Sequence, residues 1–189
     1  MIGLKRGTVK LYPHDPRWAK LFDKEKRLFL KTFGSKVISV EHIGSTSIPG
    51  ISAKPIIDIS VGVKSMRTAV GLAKKFQALG YEWRKDAPWQ NKSVQILFVK
   101  GAESKRTHYV HVMRHKGLIW NNDILFRDYL RNNKQRAKQY DILKEKLAKR
   151  HSSNRMLYTK SKEKFVIQTI KMAKQKTSRL RRPAFSGPA

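Results

Sequence analysis

Apolar positions repeat at helical spacing from Trp18 through Leu21, Phe22, Leu28 and Phe29 to Phe33, which predicts a helix over residues 16–33. Asp15-Pro16 supplies a cap and a first-turn proline, and Gly34 a stop. The period then changes. Val37, Ile38, Val40 and Ile43 form a short apolar run over 37–43, and Ile56, Ile57, Ile59, Val61 and Val63 form a second over 56–63. Both predict strands, the second a buried one. Helical spacing returns over 65–79 with Met66, Val70, Ala73, Phe76 and Leu79, closed by Gly80. Val9–Tyr12 and Glu82-Trp83 read as short strands. Val94–Val99 and His108–Met113 read as a hairpin around residues 100–105. The remainder is helical: one helix from near Asp123, a second over 134–150, a third over 154–174.

Early alternation of strands and helices, then a hairpin, then helices, fits a mixed α/β (α+β) core with a helical C-terminal part from about residue 118. A single domain over 1–174 is expected, followed by a basic Pro/Gly-containing tail over 175–189 that is expected to be disordered.

Charge adds a second theme. The 189 residues carry 42 Lys and Arg against 13 Asp and Glu, a formal net charge of +29. Between Lys134 and Arg182 stand 17 basic residues and three acids, Asp141, Glu145 and Glu163. Such a field draws polyanions without regard to sequence. The absence of cysteine excludes disulfides, thiol catalysis and thiolate metal sites. No apolar run approaches the ~20 residues of a membrane span, the opening MIGLKRGTVK lacks a signal-peptide core, and the basic helices lack a Trp-rich apolar face. A cytoplasmic protein without membrane attachment is the expectation.

Candidate chemistry gathers in residues 41–61, EHIGSTSIPGISAKPIIDISV. Gly44-Ser45-Thr46-Ser47 breaks the strand with a small-residue turn, whose amides and hydroxyls either hold an anion or cap a short helix. Asp58 interrupts an apolar strand, so it is either a satisfied structural acid or a working one. Lys54 is either solvated or set to neutralise a phosphate near the turn. Arg106 is a phosphate contact or a hairpin surface charge. His42, His108 and His111 form a metal or proton-transfer cluster, or stand as separate hydrogen-bonded histidines. His108 and His111 lie three apart and face opposite sides of a strand, and His111 shares its parity with Tyr109 and Met113. Arg127 and Asp128 read as structural.

This segment resembles the signature of the GrpB-like family, within the nucleotidyltransferase superfamily. That superfamily pairs a Gly-Ser turn with an acid-apolar-acid strand about a dozen residues on. Here Gly44-Ser45 is followed, after twelve residues, by Asp58-Ile59-Ser60. Leu11–Trp18, Arg106–Val112, Phe126–Leu130 and the set Tyr158, Lys162, Phe165 resemble other parts of the family, so the similarity covers roughly residues 8–172. It implies a nucleotidyltransferase-type mixed sheet and a nucleotide or other phosphate-rich ligand. The phosphate would sit on Gly44, Ser45, Thr46, Lys54 and Arg106. Asp58 would be the catalytic acid, and Asp58 with His111 would hold Mg²⁺ or Mn²⁺, with His42 and Ser60 as further pocket residues. Residues 58 and 60 share a strand face, but Ser60 stands where a second acid is expected. Family members joined to dephospho-CoA kinase suggest a coenzyme-A-like small molecule. Two rivals stand beside this reading: a catalytically silent module that binds RNA or DNA through the basic C-terminal helices, and a phosphate-ligand sensor without chemistry.

Overall fold

The computed structural model describes residues 1–86 and 93–180. The described residues form a five-stranded mixed sheet in the order β1-β2-β5-β4-β3. Its strands are β1 (Val37–Ile43), β2 (Ile57–Val63), β3 (Tyr81–Trp83), β4 (Gln95–Lys100) and β5 (His108–Arg114). Only β2 and β5 run parallel; the other pairs are antiparallel. The parallel pair needs a long crossover, and helices α2 (Met66–Gly71) and α3 (Ala73–Ala78) lie within it.

Strand parity divides the sheet into two chemically different faces. Ile57, Ile59, Val61, Val63, Val110, Val112, Ile96 and Phe98 fill one face. Helix α1 (Arg17–Phe33) covers it with Trp18, Phe22, Phe29 and Phe33, joined by Phe76 of α3. Phe76 stacks on Phe98 with ring centroids 4.4 Å apart. The opposite face carries Glu41, Asp58, Ser60, Tyr109 and His111, brought side by side by the pairs Glu41↔Ser60, Asp58↔Tyr109 and Ser60↔His111. Four helices follow β5, α4 (Leu118–Arg131), α5 (Lys134–Arg150), α6 (Arg155–Lys160) and α7 (Glu163–Leu180), and α4 and α6 reach this polar face directly. Arg127 of α4 donates to Glu41 at 2.7 Å, and Arg155 of α6 donates to the Tyr109 hydroxyl at 2.6 Å.

The strands at 37–43 and 56–63 and the 94–113 hairpin stand within a residue or so of the sequence reading. Other elements differ. Val9–Tyr12 is not a strand: Tyr12 makes an isolated bridge to Ala53, while the Val9 amide donates to the Ser152 carbonyl, so the segment ties two layers together. The helix expected over 65–79 is interrupted at Leu72, just after Gly71. Helix α4 starts five residues before Asp123, after Lys116 takes φ +56° and Gly117 precedes the first turn. Gly62 makes room for it: a Cβ there would lie 2.9 Å from both His115 Nδ1 and Trp120 Cζ3. The helix expected over 154–174 is two, separated at Ser161-Lys162, and α7 continues to Leu180. The tail expected from 175 therefore begins inside a helix, and the rest of it, 181–189, lies outside the described residues.

Candidate functional site

The loop from Gly44 to Ile56 is held from above by the helical layer. Asp141 of α5 accepts from the Ser52 amide at 2.9 Å and its hydroxyl at 2.6 Å, Lys144 donates to the Ser52 carbonyl, and Arg131 donates to the Ser47 carbonyl at 2.8 Å. Beneath this clamp Gly44 adopts φ +67° and ψ −175°, a region open to glycine almost alone. A Cβ at this position would lie 2.5 Å from Asp58 Oδ2. The glycine thus brings the turn directly over the acid. A single 3-10 turn, Ser45–Ser47, follows. Its first amides have no acceptor within so short a helix.

Around Asp58 stand side chains from every layer. Lys54 comes from the loop and Lys162 from the break between α6 and α7, both against the Tyr158 ring, at 5.4 and 4.3 Å from its centroid. Arg155 lies over the Tyr109 ring at 4.5 Å. Tyr140 of α5 turns its hydroxyl toward Ser45 and feels the Asp58 charge. Burial pushes the Lys54 ammonium well below the usual lysine range, and repulsion from Arg155 and Lys162 pushes it further, against the pull of Asp58. Lys162 is lowered to about 8, by burial first and by Arg155, while Asp58 opposes the shift. Three basic groups thus crowd one strand carboxylate.

A second carboxylate comes from the helical layer. Asp123 of α4 accepts from the Ser60 hydroxyl at 3.4 Å. Burial raises its pKa to about 7, and the Asp58 charge adds to the rise. Both groups have consequences for stability. The folded chain releases the Lys162 proton near 8, the unfolded chain near 10.5. The unfolded state binds more protons between those values, so stability should rise with pH across that window. For Asp123 the folded chain keeps a proton up to about 7 that the unfolded chain loses near 3.8, so stability should fall as pH climbs between them. Urea midpoints measured against pH should show the alkaline rise, while below about pH 6.5 the lowered His42, His108 and His111 add a rise with pH that opposes the Asp123 contribution. Lys162→Met should reduce the alkaline rise, with the depressed Lys54 carrying the rest, and Asp123→Asn should steepen the rise with pH on the acid side.

The remaining expected site residues fall in different places. His111 lies on the Asp58 face, beside Ser60, with Gln95 at 2.6 Å from its Nδ1; burial lowers its pKa. His108 faces the apolar core, where burial lowers its pKa to about 4. His42 also departs from the expected pocket. It stacks on Phe22 at 4.8 Å, its Nε2 lies 3.0 Å from the Thr46 hydroxyl, and burial lowers its pKa to about 3. The Thr46 side chain is therefore turned to the core, leaving its backbone to the turn. Arg106 sits in a separate ionic cluster, with Glu82 at 2.7 Å, Glu103 at 3.7 Å and the Gly101 carbonyl at 2.6 Å. Among the described residues no group of three or more His, Asp and Glu side chains is arranged to hold a metal ion. Asp58 and His111, even with Asp123, do not make up the oxygen-rich set that a two-ion centre takes.

Sequence reasoning missed Asp123, Tyr109, Tyr140 and Arg155 as pocket residues. It noted Tyr158 and Lys162 only as part of a pattern. Their i, i+4 spacing was the available signal: it stacks an ammonium on a ring across one helical turn.

Fold and site together define an α/β protein with a cationic, tyrosine-rich side-chain cluster between its sheet and a helical layer. The model for GrpB protein matches residues 8–172, and the chain belongs to the GrpB family. It is 38% identical over 171 residues to the glutamate-rich protein GrpB of Alkalihalophilus pseudofirmus, covering 90% of this chain and 98% of that one. A stretch of 81 residues is 33% identical to a dephospho-CoA kinase of Mycolicibacterium paratuberculosis, covering 41% of this chain and 20% of the kinase. The crystal structure of conserved protein GrpB from Enterococcus faecalis matches with a TM-score of 0.79 and 32% identity over 89% of this chain and 99% of that one. The Cid1 poly(U) polymerase with MgGTP bound matches with a TM-score of 0.49 and 16% identity over 73% of this chain and 44% of that one.

Proposed function

We propose that the pocket binds a nucleotide or another phosphate-rich small molecule, with the phosphates on Lys54, Arg155 and Lys162 and the organic part against Tyr109, Tyr140 and Tyr158. One observation carries this reading. Lys54 and Lys162 lose proton affinity to burial and to Arg155, and Asp58 is the acid that opposes the loss for both. Desolvated like charges repel strongly. A polyanion relieves that repulsion, and charge-assisted hydrogen bonds to phosphate are among the strongest a protein makes. The turn at Gly44–Ser45 adds amides on the same side.

Transfer of a nucleotidyl group from such a ligand would use the acids Asp58 and Asp123, with Ser60 between them. In this reading the basic side chains carry most of the charge neutralisation, so binding itself does not depend on a divalent ion. The kinase relative makes coenzyme A and its precursors natural members of the ligand set.

A thermal-shift screen tests the reading. It compares nucleoside triphosphates, coenzyme A and dephospho-coenzyme A with their unphosphorylated parents, in Mg²⁺ and in chelator. At a hundredfold excess over Kd a binder stabilises the fold by about 2.7 kcal/mol, roughly 5–10 °C for a chain of this size. Phosphorylated compounds should shift the transition in both buffers and their parents should not. Equal shifts by the parents, or no shift by any phosphate compound, would remove the proposal.

A further inference from the structure

Helix α7 turns one side inward, burying Thr169 and Ala173, while Phe165 stacks on Tyr140 at 5.3 Å. Its outer side is basic: Lys164, Lys171, Lys174 and Lys176 are exposed. Among the described residues the ion pairs of this helical region join Arg127 to Glu41 and Asp128 and Lys144 to Asp141, and the α7 lysines are in none of them. Between α4 and α7 runs a groove of about 670 Å³ lined by Asn122, Ile167, Ile170, Lys171, Lys174, Gln175 and Ser178. The Asn122 side-chain oxygen is buried in the fold with no hydrogen-bond partner among the described residues. Being covered by the fold, it is out of reach of a ligand in the groove.

We infer that this groove and the outer face of α7 bind a strand of nucleic acid, through its phosphates and without sequence preference. The charge complementarity is the main argument. The chain holds 42 basic residues against 13 acidic ones, beyond what solubility asks of a domain of this size. Two groove lysines stand where a phosphate backbone would run, while Gln175 and Ser178 offer further hydrogen bonds. A lipid surface fits less well. Phe165 and Ala173 of α7 pack into the fold, and the exposed Ile167 and Met172 do not make the continuous apolar face that an interfacial helix needs. The groove is separate from the Asp58 pocket, whose lysines point between the layers.

The test is fluorescence anisotropy of a labelled single-stranded RNA against a salt series, with the full chain. Binding should be tight at low salt and fall steeply as salt rises, by about 0.7 in log–log slope for each phosphate neutralised. The pair Lys171→Glu and Lys174→Glu should lower affinity at least about tenfold and reduce the slope by about 1.4. Neutralising the same two with Gln should give the same direction with smaller loss. The control changes charge equally on the far side of the sheet, Lys20→Glu with Lys24→Glu on α1. Both residues are exposed there, and affinity should stay within about twofold of wild type. Loss in the control equal to that in the groove pair would assign binding to the overall field and overturn the groove. Absence of binding at low salt would overturn it too. So would binding to phosphatidylserine vesicles that matches RNA binding and needs the same two lysines.

Discussion

Lys162→Met should weaken the phosphate-rich ligand by roughly 10- to 100-fold while leaving the fold as stable as before, or more so. The two halves of this expectation have one cause. Burial and the neighbouring Arg155 hold the Lys162 ammonium down to about 8, which means the folded chain tolerates that charge poorly. Met keeps the length and the contact with Tyr158 but drops the charge, and replacing a strained buried charge by an apolar group is often neutral or stabilising. The lost charge-assisted bond to phosphate is worth about 1.5–3 kcal/mol, which gives the affinity range above. Relief should also reach Lys54, whose depression has Lys162 among its causes. Adding Arg155→Met should multiply the loss of affinity. Calorimetry for binding and a thermal melt for stability read the two effects separately. A variant that melts lower and binds unchanged would make Lys162 a structural lysine.

Gly44→Ala should be strongly destabilising. The residue sits at φ +67° and ψ −175°, and a side chain in that region costs about 1–3 kcal/mol from backbone strain alone. The new Cβ would also lie 2.5 Å from Asp58 Oδ2, 3.0 Å from its Cβ and 3.1 Å from its Cγ, so rotating the carboxylate away does not clear the clash. About 3 kcal/mol in total is expected, a drop of roughly 6–12 °C in Tm. Gly50→Ala is the matched control. It shares a positive φ, +79°, but meets nothing within 4 Å, so it should show the backbone cost without the collision. Equal losses in the two variants would mean that the turn does not press on Asp58.

Both expectations depend on residues of unequal visibility in the sequence. The sheet was legible because its strands are nearly pure apolar runs, and Asp58 stood out because it breaks one of them. The register also followed: parity put His111 with Tyr109 and Met113, and that is the face Asp58 shares. Helix α1 was legible from its aromatic stripe, and its cap holds, with Asp15 Oδ1 accepting from the Arg17 amide at 3.0 Å. The α4 start was missed because Leu118 and Trp120 follow a turn made by Lys116 at positive φ, a conformation that lysine does not announce. The break at Ser161-Lys162 was missed because the apolar spacing runs straight through it.

The pocket was half legible for a different reason. A motif shows residues close in sequence, such as Gly44, Ser45 and Asp58. It cannot show Arg155 reaching Tyr109, or Asp123 reaching Ser60 across 63 positions. Those pairs exist because the helical layer lies on the polar face of the sheet. Arg106 and His42 misled for the same reason in reverse. His42 is near the motif in sequence and Arg106 leads into β5 beside it, but Arg106 finds Glu82 and Glu103 and His42 finds Phe22 and Thr46.

The most direct test of the cationic pocket is a calorimetric titration of the intact chain with a nucleoside triphosphate, in chelator, at pH 7. It is set beside the same titration of the variant carrying Lys54→Met and Lys162→Met. Saturable one-to-one binding by the wild type, lost in a variant that melts at or above the wild-type temperature, is the expected result. No heat of binding from the wild type to the triphosphate or to coenzyme A, or undiminished binding by the variant, would contradict the claim that these lysines form a phosphate site.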